Sequence, residues 1–113
     1  MNIAEVRQYL KAVDDVGTYE VRMEIYDDYD QMIYTKDLTY TNSHAVYCGY
    51  KSIMFIVGLL PRHGFLTFDL CTNVRPIASE LKGGFNKNTS LVMALKNRME
   101  VNKVHCESVN LID

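Results

Sequence analysis

The sequence predicts one α/β domain with an antiparallel hairpin, a long helix and a buried strand. Residues Thr18–Tyr26 alternate apolar and polar side chains, as a strand with one buried face does. Residues His44–Leu60 form a long segment whose second half is apolar almost all round, which is typical of a helix buried on more than one side. Residues Phe65–Thr72 are a short, nearly continuous apolar run, as expected for a strand covered on both faces.

Length and composition limit the class of protein. The chain has 113 residues, the size of a single domain, and its 48% hydrophobic and 23% charged content is that of an ordinary globular protein. The longest apolar run, Ile53–Leu60, is too short to cross a bilayer, and the chain opens without a signal-peptide pattern. We therefore expect a cytoplasmic protein without a membrane partner. The three cysteines match no disulfide or zinc spacing and are expected to be reduced thiols.

The charge is unevenly distributed along the chain. Residues 1–60 carry five Lys/Arg and nine Asp/Glu, a net charge of −4, whereas residues 61–113 carry seven and five, a net charge of +2. The acidic half argues against a general phosphate-binding surface, and the basic half is too dilute to establish one.

The first dozen residues allow two interpretations. Four apolar residues recur at helical spacing: Ile3, Val6, Leu10 and Val13. This spacing predicts a helix over residues 2–13. The competing interpretation is a strand over Val6–Val13.

The remaining elements follow from turn and capping residues. After a turn at Asp27–Asp30, Gln31–Tyr40 is predicted to return as the partner strand of the hairpin. Asn42 and Ser43 are expected to cap the long helix by accepting hydrogen bonds from its first amides. A short helix over Val74–Leu81 is then predicted.

A second helix and a last strand complete the predicted order. Residues Thr89–Met99 place Leu91, Leu95 and Met99 on one face of a helix, with Asn88 as its cap. The tail Lys103–Ile112 alternates imperfectly and is predicted to be the last strand.

Three local motifs lie in a characteristic order. They are Thr41–Ala45 (TNSHA), Leu66–Asp69 (LTFD) and Leu81–Leu91 (LKGGFNKNTSL). They resemble the Thr-Asn-Asn-x-Ala helix entry, the strand that ends in Asp-Ser, and the Gly–aromatic–Lys-Asn–Leu stretch of ribonuclease H-like domains. The resemblance covers most of the chain and implies a small ribonuclease H-like fold.

The same resemblance implies a degenerate catalytic site. The family's helix carries a Glu after the Ala, where this chain has Val46, and the Asp-Ser pair is here Asp69-Leu70. The family's first Asp ends its first strand, a position that Asp14 or Asp15 takes only if residues 6–13 are that strand. The family's last acidic residue lies on a helix after the final strand, and no such helix is expected here.

Metal-dependent hydrolysis is therefore not the favoured chemistry. Two-metal hydrolysis needs several oxygen ligands around ions about 4 Å apart. Asp69 is the candidate metal ligand, and only with Asp14 or Asp15 would it form a catalytic site for Mg²⁺ or Mn²⁺. Outside this nuclease alternative, no cofactor is expected.

Basic and aromatic residues near the turns of the second half are the candidates for nucleic-acid contact. They are Arg62, Arg75, Lys82, Phe85 and Lys87. Lysine and arginine would meet phosphates, and the aromatic ring would stack on a base. The competing interpretation is a solvated rim without a nucleic-acid role.

These observations favour a binding or regulatory module over an enzyme. We expect a non-catalytic domain that acts through a protein partner, such as a phage or viral accessory or inhibitor protein. The alternative is a nucleic-acid binder or a residual metal-dependent nuclease of ribonuclease H type. The sequence leaves open whether the chain forms a homodimer.

Overall fold

The computed structural model describes residues 2–84 and 87–112. These residues form five strands and three α-helices, with a short 3-10 helix at Leu60–His63. The strands are β1 (Ala4–Ala12), β2 (Tyr19–Tyr26), β3 (Met32–Tyr40), β4 (Thr67–Thr72) and β5 (His105–Leu111). The helices are α1 (Ala45–Leu59), α2 (Arg75–Leu81) and α3 (Thr89–Asn102).

The five strands form one mixed sheet in the order β3-β2-β1-β4-β5. The first three strands are antiparallel, and β1, β4 and β5 run parallel to one another. Parallel neighbours need a crossover connection, and α2 and α3 provide it between β4 and β5. Helix α1 carries the chain from the edge strand β3 across the sheet to β4, which lies beside β1.

The two faces of the sheet differ in character. On the covered face, β1, β2 and β4 bury apolar side chains against the helices, among them Val6, Ile25 and Leu70, all 0% exposed. The opposite face, which we call the open face, carries charged and polar side chains such as Arg22 and Asp69. The alternation of strand side chains therefore sorts the sequence into a core and a polar surface.

Helix α1 lies over the centre of the sheet and supplies much of the core. Tyr50, Ile53 and Ile56 are fully buried with Leu95 of α3 in the same cluster. Among the described residues, no helix has both the length and the apolar content needed to span a bilayer.

The helix predicted over residues 2–13 is wrong, because this segment is strand β1. It pairs antiparallel with β2 and parallel with β4, and its residues Ala4, Val6 and Gln8 are buried at period two. The third buried residue is polar, so the alternation of apolar residues is hidden, while the helical spacing of the apolar residues is coincidental.

The other predicted elements are confirmed, with two corrections at the helix caps. The side chain of His44 accepts the hydrogen bond from Tyr47 N–H at the start of α1, where Asn42 and Ser43 were expected to do so. The side chain of Asn88 does not cap α3 but donates to Glu80. At α3 the contact with Glu80 of α2, rather than the local sequence, decides where the Asn88 amide donates.

Candidate functional site

A buried polar network joins β1, β4 and α1 at the carboxyl end of β4, where its pairing with β1 ends. We call Gln8, Ser52 and Thr72 the strand-end network. Gln8 Nε2 donates to Ser52 Oγ and to Gly49 O, both at 2.8 Å. Thr72 Oγ1 donates to Gln8 Oε1 at 2.5 Å. All three side chains are 0% exposed, so the network is neutral and sealed from solvent.

Local structure explains why these groups converge. Gln8 and Thr72 are direct partners in the parallel register of β1 and β4, so their side chains share a face. Ser52 Oγ also donates within α1, at 2.8 Å to Cys48 O and 2.9 Å to Gly49 O. Gly49 lets α1 lie close to α2, because a Cβ at position 49 would collide with the side chain of Ile77 of α2.

Asn73 fixes the end of β4 to β1. Its side-chain amide donates to Leu10 O at 3.0 Å, and its side-chain oxygen accepts from Leu10 N–H at 2.9 Å. Thr72 Oγ1 then accepts from Val74 N–H at 3.0 Å, which leads the chain towards α2. The pair at the end of this strand is therefore Thr72-Asn73, and neither residue is acidic.

Asp69 does not lie at the strand end that the resemblance implied. It is the third residue of β4 and points to the open face, where Ser108 Oγ donates to its carboxylate at 2.6 Å. The β1–β4 register places Glu5 beside it on that face, and the Glu5 carboxylate accepts a hydrogen bond from Arg7 Nε. Sequence reasoning missed Glu5 because the helix interpretation assigned it no strand partner.

Asp14 and Asp15 are not brought to Asp69. They follow β1 in an exposed loop, where the Asp14 carboxylate accepts from Val16 N–H and Thr18 N–H, both at 3.0 Å. Hydrogen bonding with the Thr18 side chain, followed by these two backbone bonds, holds the pKa of Asp14 below its ordinary value. Because β1 runs on for seven residues past Glu5, about 23 Å at 3.3 Å per residue, these carboxylates cannot share an ion with Asp69.

The donor set does not fit the metal ions that the resemblance implies. Val46 lies in the first turn of α1 without an oxygen ligand, and the strand-end network offers only amide and hydroxyl groups that already bond to one another. Within residues 2–84 and 87–112, no group of three or more His, Cys, Asp or Glu side chains is placed to hold a metal ion. Mg²⁺ and Mn²⁺ prefer carboxylate oxygens, so hydrolysis through two metals finds no ligand set here.

The four predicted nucleic-acid contacts that the structure describes lie in four different places. Arg75 begins α2 beside the strand-end network, and Lys87 lines a hollow of about 380 Å³ with His44 and Tyr47 at the start of α1. Lys82 lies at the rim of a separate hollow near β5. Arg62 is exposed at the other end of α1, and Phe85 lies outside the described residues.

Glu80 of α2 accepts hydrogen bonds from Lys87 and Asn88, which precede α3, and sequence reasoning missed this role. Its carboxylate, in a residue only 7% exposed, accepts from Tyr50 Oη at 2.6 Å, from Asn88 Nδ2 at 2.9 Å and from Lys87 N–H at 3.0 Å. Burial alone would raise the pKa of this carboxyl, but the hydrogen bonds outweigh it and the pKa lies below its ordinary value. A lone Glu near the end of a short helix gave no signal of this role.

Comparison with known proteins identifies the fold. No protein-family model matches the sequence, and no curated protein matches it either. Among solved structures, the RNase H1 of the halophilic archaeon Halobacterium salinarum is 11% identical, with a TM-score of 0.75 over 96% of this chain and 84% of that chain. The N-terminal RNase H domain of a Mycobacterium tuberculosis protein is 4% identical, with a TM-score of 0.77 over 97% of this chain and 87% of that chain.

A third similar structure contains nucleic acid. It is LC11-RNase H1 in complex with an RNA/DNA hybrid, 10% identical, with a TM-score of 0.74 over 96% of this chain and 83% of that chain. The chain therefore has a ribonuclease H-like fold, as its motifs predicted. At these identities the comparison establishes the fold alone.

Proposed function

We propose that this domain binds nucleic acid without hydrolysing it through metal ions. The fold supports the first part, because a structure with the same architecture holds an RNA/DNA hybrid. The strand-end network supports the second part, because Gln8, Ser52 and Thr72 occupy the meeting point of the strands and helix with neutral, mutually bonded groups.

The observation that carries the proposal is the distribution of paired and unpaired cations. On the open face, Arg7, Lys11 and Arg22 each form an ion pair with a carboxylate of the sheet. On the helical side, Lys51, Arg62 and Arg98 are exposed, and none of them forms an ion pair with the described residues. Unpaired cations remain available to phosphates, whose neutralisation dominates the affinity for nucleic acid.

The test combines binding with cleavage. Labelled single-stranded DNA, RNA and RNA/DNA hybrid are titrated with the protein at low salt, and the hybrid is then incubated with Mg²⁺ or Mn²⁺. The proposal predicts binding to at least one of these probes and an intact hybrid at high protein concentration. Cleavage that depends on the metal and is lost in Asp69→Asn would contradict it, and so would the absence of binding to every probe.

A second candidate function, action through a protein partner, rests on one apolar surface. Tyr29, Met32 and Ile33 lie at the β2–β3 hairpin and are 81%, 51% and 37% exposed. Two of them begin the edge strand β3 and Tyr29 lies in the turn before it, and exposed apolar side chains at a sheet edge are a typical contact for another polypeptide. Sedimentation velocity of the purified chain, with Met32→Thr/Ile33→Thr as the comparison, distinguishes self-association through this strand from a monomer.

A further inference from the structure

Aromatic and basic side chains alternate along the outer face of α1. Tyr47, Lys51 and Phe55 lie at successive positions four residues apart, and Tyr47 and Phe55 are 38% and 36% exposed. On a helix with 3.6 residues per turn, these positions fall within about 80° of one another, with about 6 Å between neighbours. They form one continuous stripe on the protein surface.

Arg98 of α3 extends this stripe by one more cation. Its Nε donates to Met54 O of α1 at 3.2 Å, and its guanidinium lies against Gly58. A Cβ at position 58 would come within 2.5 Å of Arg98 Nη2, so the glycine makes room for the charge. We call Tyr47, Lys51, Phe55, Arg98 and the nearby Arg62 the α1 ridge.

The cations of the α1 ridge have no acidic residue beside them on α1 or on the 3-10 helix. No Asp or Glu occurs between Asp37 and Asp69, a segment that includes all of α1 and the 3-10 helix. On α3, Glu100 is two residues from Arg98 and therefore points to the other side of that helix. The cations of the ridge are thus not neutralised by its own elements.

We propose that the α1 ridge binds a single strand of nucleic acid, with bases stacked on Tyr47 and Phe55 and phosphates beside Lys51 and Arg98. This proposal rests on the proposed function and assigns it a surface and a ligand class. Exposed rings separated by cations are the arrangement that sequence-tolerant single-strand binders use. A base-paired duplex presents its bases stacked on one another, so it cannot use the two rings.

Residues that the sequence marked as basic contacts lie at the ends of the ridge. Lys87 lines the hollow beside Tyr47, and Arg62 follows α1 at the opposite end. The surface therefore runs the length of the helix, from Lys87 to Arg62. It lies outside the strand-end network, so binding there does not require the position of the missing carboxylates.

The experiment measures the affinity of full-length variants for a fluorescein-labelled oligothymidylate by anisotropy. Tyr47→Leu and Phe55→Leu keep an apolar side chain but remove the ring, and each is expected to weaken binding about 5- to 100-fold. The matched control is Tyr9→Leu, which removes a ring that is 37% exposed from the open face of the sheet and is expected to leave the affinity unchanged. Thermal unfolding of each variant shows whether it is folded.

Two further variants test the cations without touching a ring. Lys51→Gln is expected to weaken binding and to reduce its salt dependence, whereas Lys36→Gln on the edge strand β3 is expected to do neither. Arg98→Gln removes the guanidinium and is expected to weaken binding, whereas Gly58→Ala, whose Cβ only pushes the flexible end of the Arg98 side chain aside, is expected to weaken it less. In the double variant Gly58→Ala should add nothing to Arg98→Gln, because it acts only by shifting the guanidinium that Arg98→Gln removes.

The outcomes separate this proposal from the one on which it rests. If the wild type binds no probe, the proposed function fails and the ridge assignment fails with it. If the wild type binds the oligothymidylate but the ridge variants bind equally well, only the ridge assignment is overturned. A preference for duplex or hybrid over the single strand likewise overturns the stacking arrangement while leaving nucleic-acid binding in place.

Discussion

Replacing Gln8 by methionine tests the energetic role of the strand-end network. Methionine preserves the length of the side chain and removes three hydrogen bonds, two donated by Nε2 and one accepted by Oε1. Ser52 Oγ can still donate to Cys48 O or Gly49 O, but the Thr72 hydroxyl loses its acceptor in a fully buried site. Three bonds at about 1 kcal/mol each, with about 1–3 kcal/mol more for the buried hydroxyl left unsatisfied, give an expected loss of about 4–6 kcal/mol.

The assay is equilibrium unfolding in urea followed by far-UV circular dichroism. Gln8→Met is expected to lower the midpoint without changing the denaturant slope, because the surface exposed on unfolding stays the same. Thr72→Val is expected to cost about 1–3 kcal/mol, since it removes the acceptor of Val74 N–H as well as the bond to Gln8. The control is Tyr9→Phe on the open face of β1, expected within about 0.5 kcal/mol of the wild type.

The double variant Gln8→Met/Thr72→Val gives the decisive comparison. Both single changes break the same bond between Oγ1 and Oε1, so the double variant should cost about 1–2 kcal/mol less than the two single losses together. Full additivity would refute the network as a coupled unit. If Gln8→Met lowers the free energy of unfolding by less than about 1 kcal/mol, the strand-end network does not stabilise the fold as proposed.

Three further outcomes follow from the described contacts. Glu80→Gln is expected to destabilise the fold by about 2 kcal/mol at neutral pH, because the carboxylate accepts several charge-assisted bonds. Since the folded-state pKa of Glu80 is lowered, the stabilisation by its carboxylate is present above the ordinary pKa of 4.5 and is lost as the pH falls through the folded pKa. The urea midpoints of the wild type and of Glu80→Gln should therefore converge in acid. Burial, followed by the charge of Asp69, raises the pKa of the Cys106 thiol to about 11. Mass spectrometry should therefore show slow alkylation of Cys106 in the folded chain at mildly alkaline pH and fast alkylation in urea. Fast labelling of the folded chain would contradict this. Asp69→Asn should leave oligonucleotide affinity and its response to Mg²⁺ unchanged in anisotropy titrations, and a loss of either would assign the carboxylate a role in binding.

The sequence predicted the elements whose patterns are local. The alternation in Thr18–Tyr26 and the apolar run in Phe65–Thr72 identify strands, because one or both faces of each are buried by apolar residues. The same pattern did not identify strand β1, because one of its buried positions is the polar residue Gln8. A buried glutamine is recognisable only once its partners are known.

The candidate site was less predictable than the fold for the same physical reason. The partners of Gln8 are 44 and 64 residues away in the sequence, and all three side chains are common surface residues. The acidic residue that stood out, Asp69, instead faces solvent in the middle of its strand. Motif spacing locates a strand but is too coarse to determine which of its residues comes last.

The salt dependence of oligonucleotide binding tests the central claim most directly. The affinity of the full chain for an oligothymidylate is measured in EDTA over a series of NaCl concentrations. The account predicts binding without divalent metal and a linear fall of log K with log salt, with a slope of about −2 to −3 for three or four phosphates near the ridge cations. A flat salt response, or binding that appears only when Mg²⁺ or Mn²⁺ is added, would contradict it.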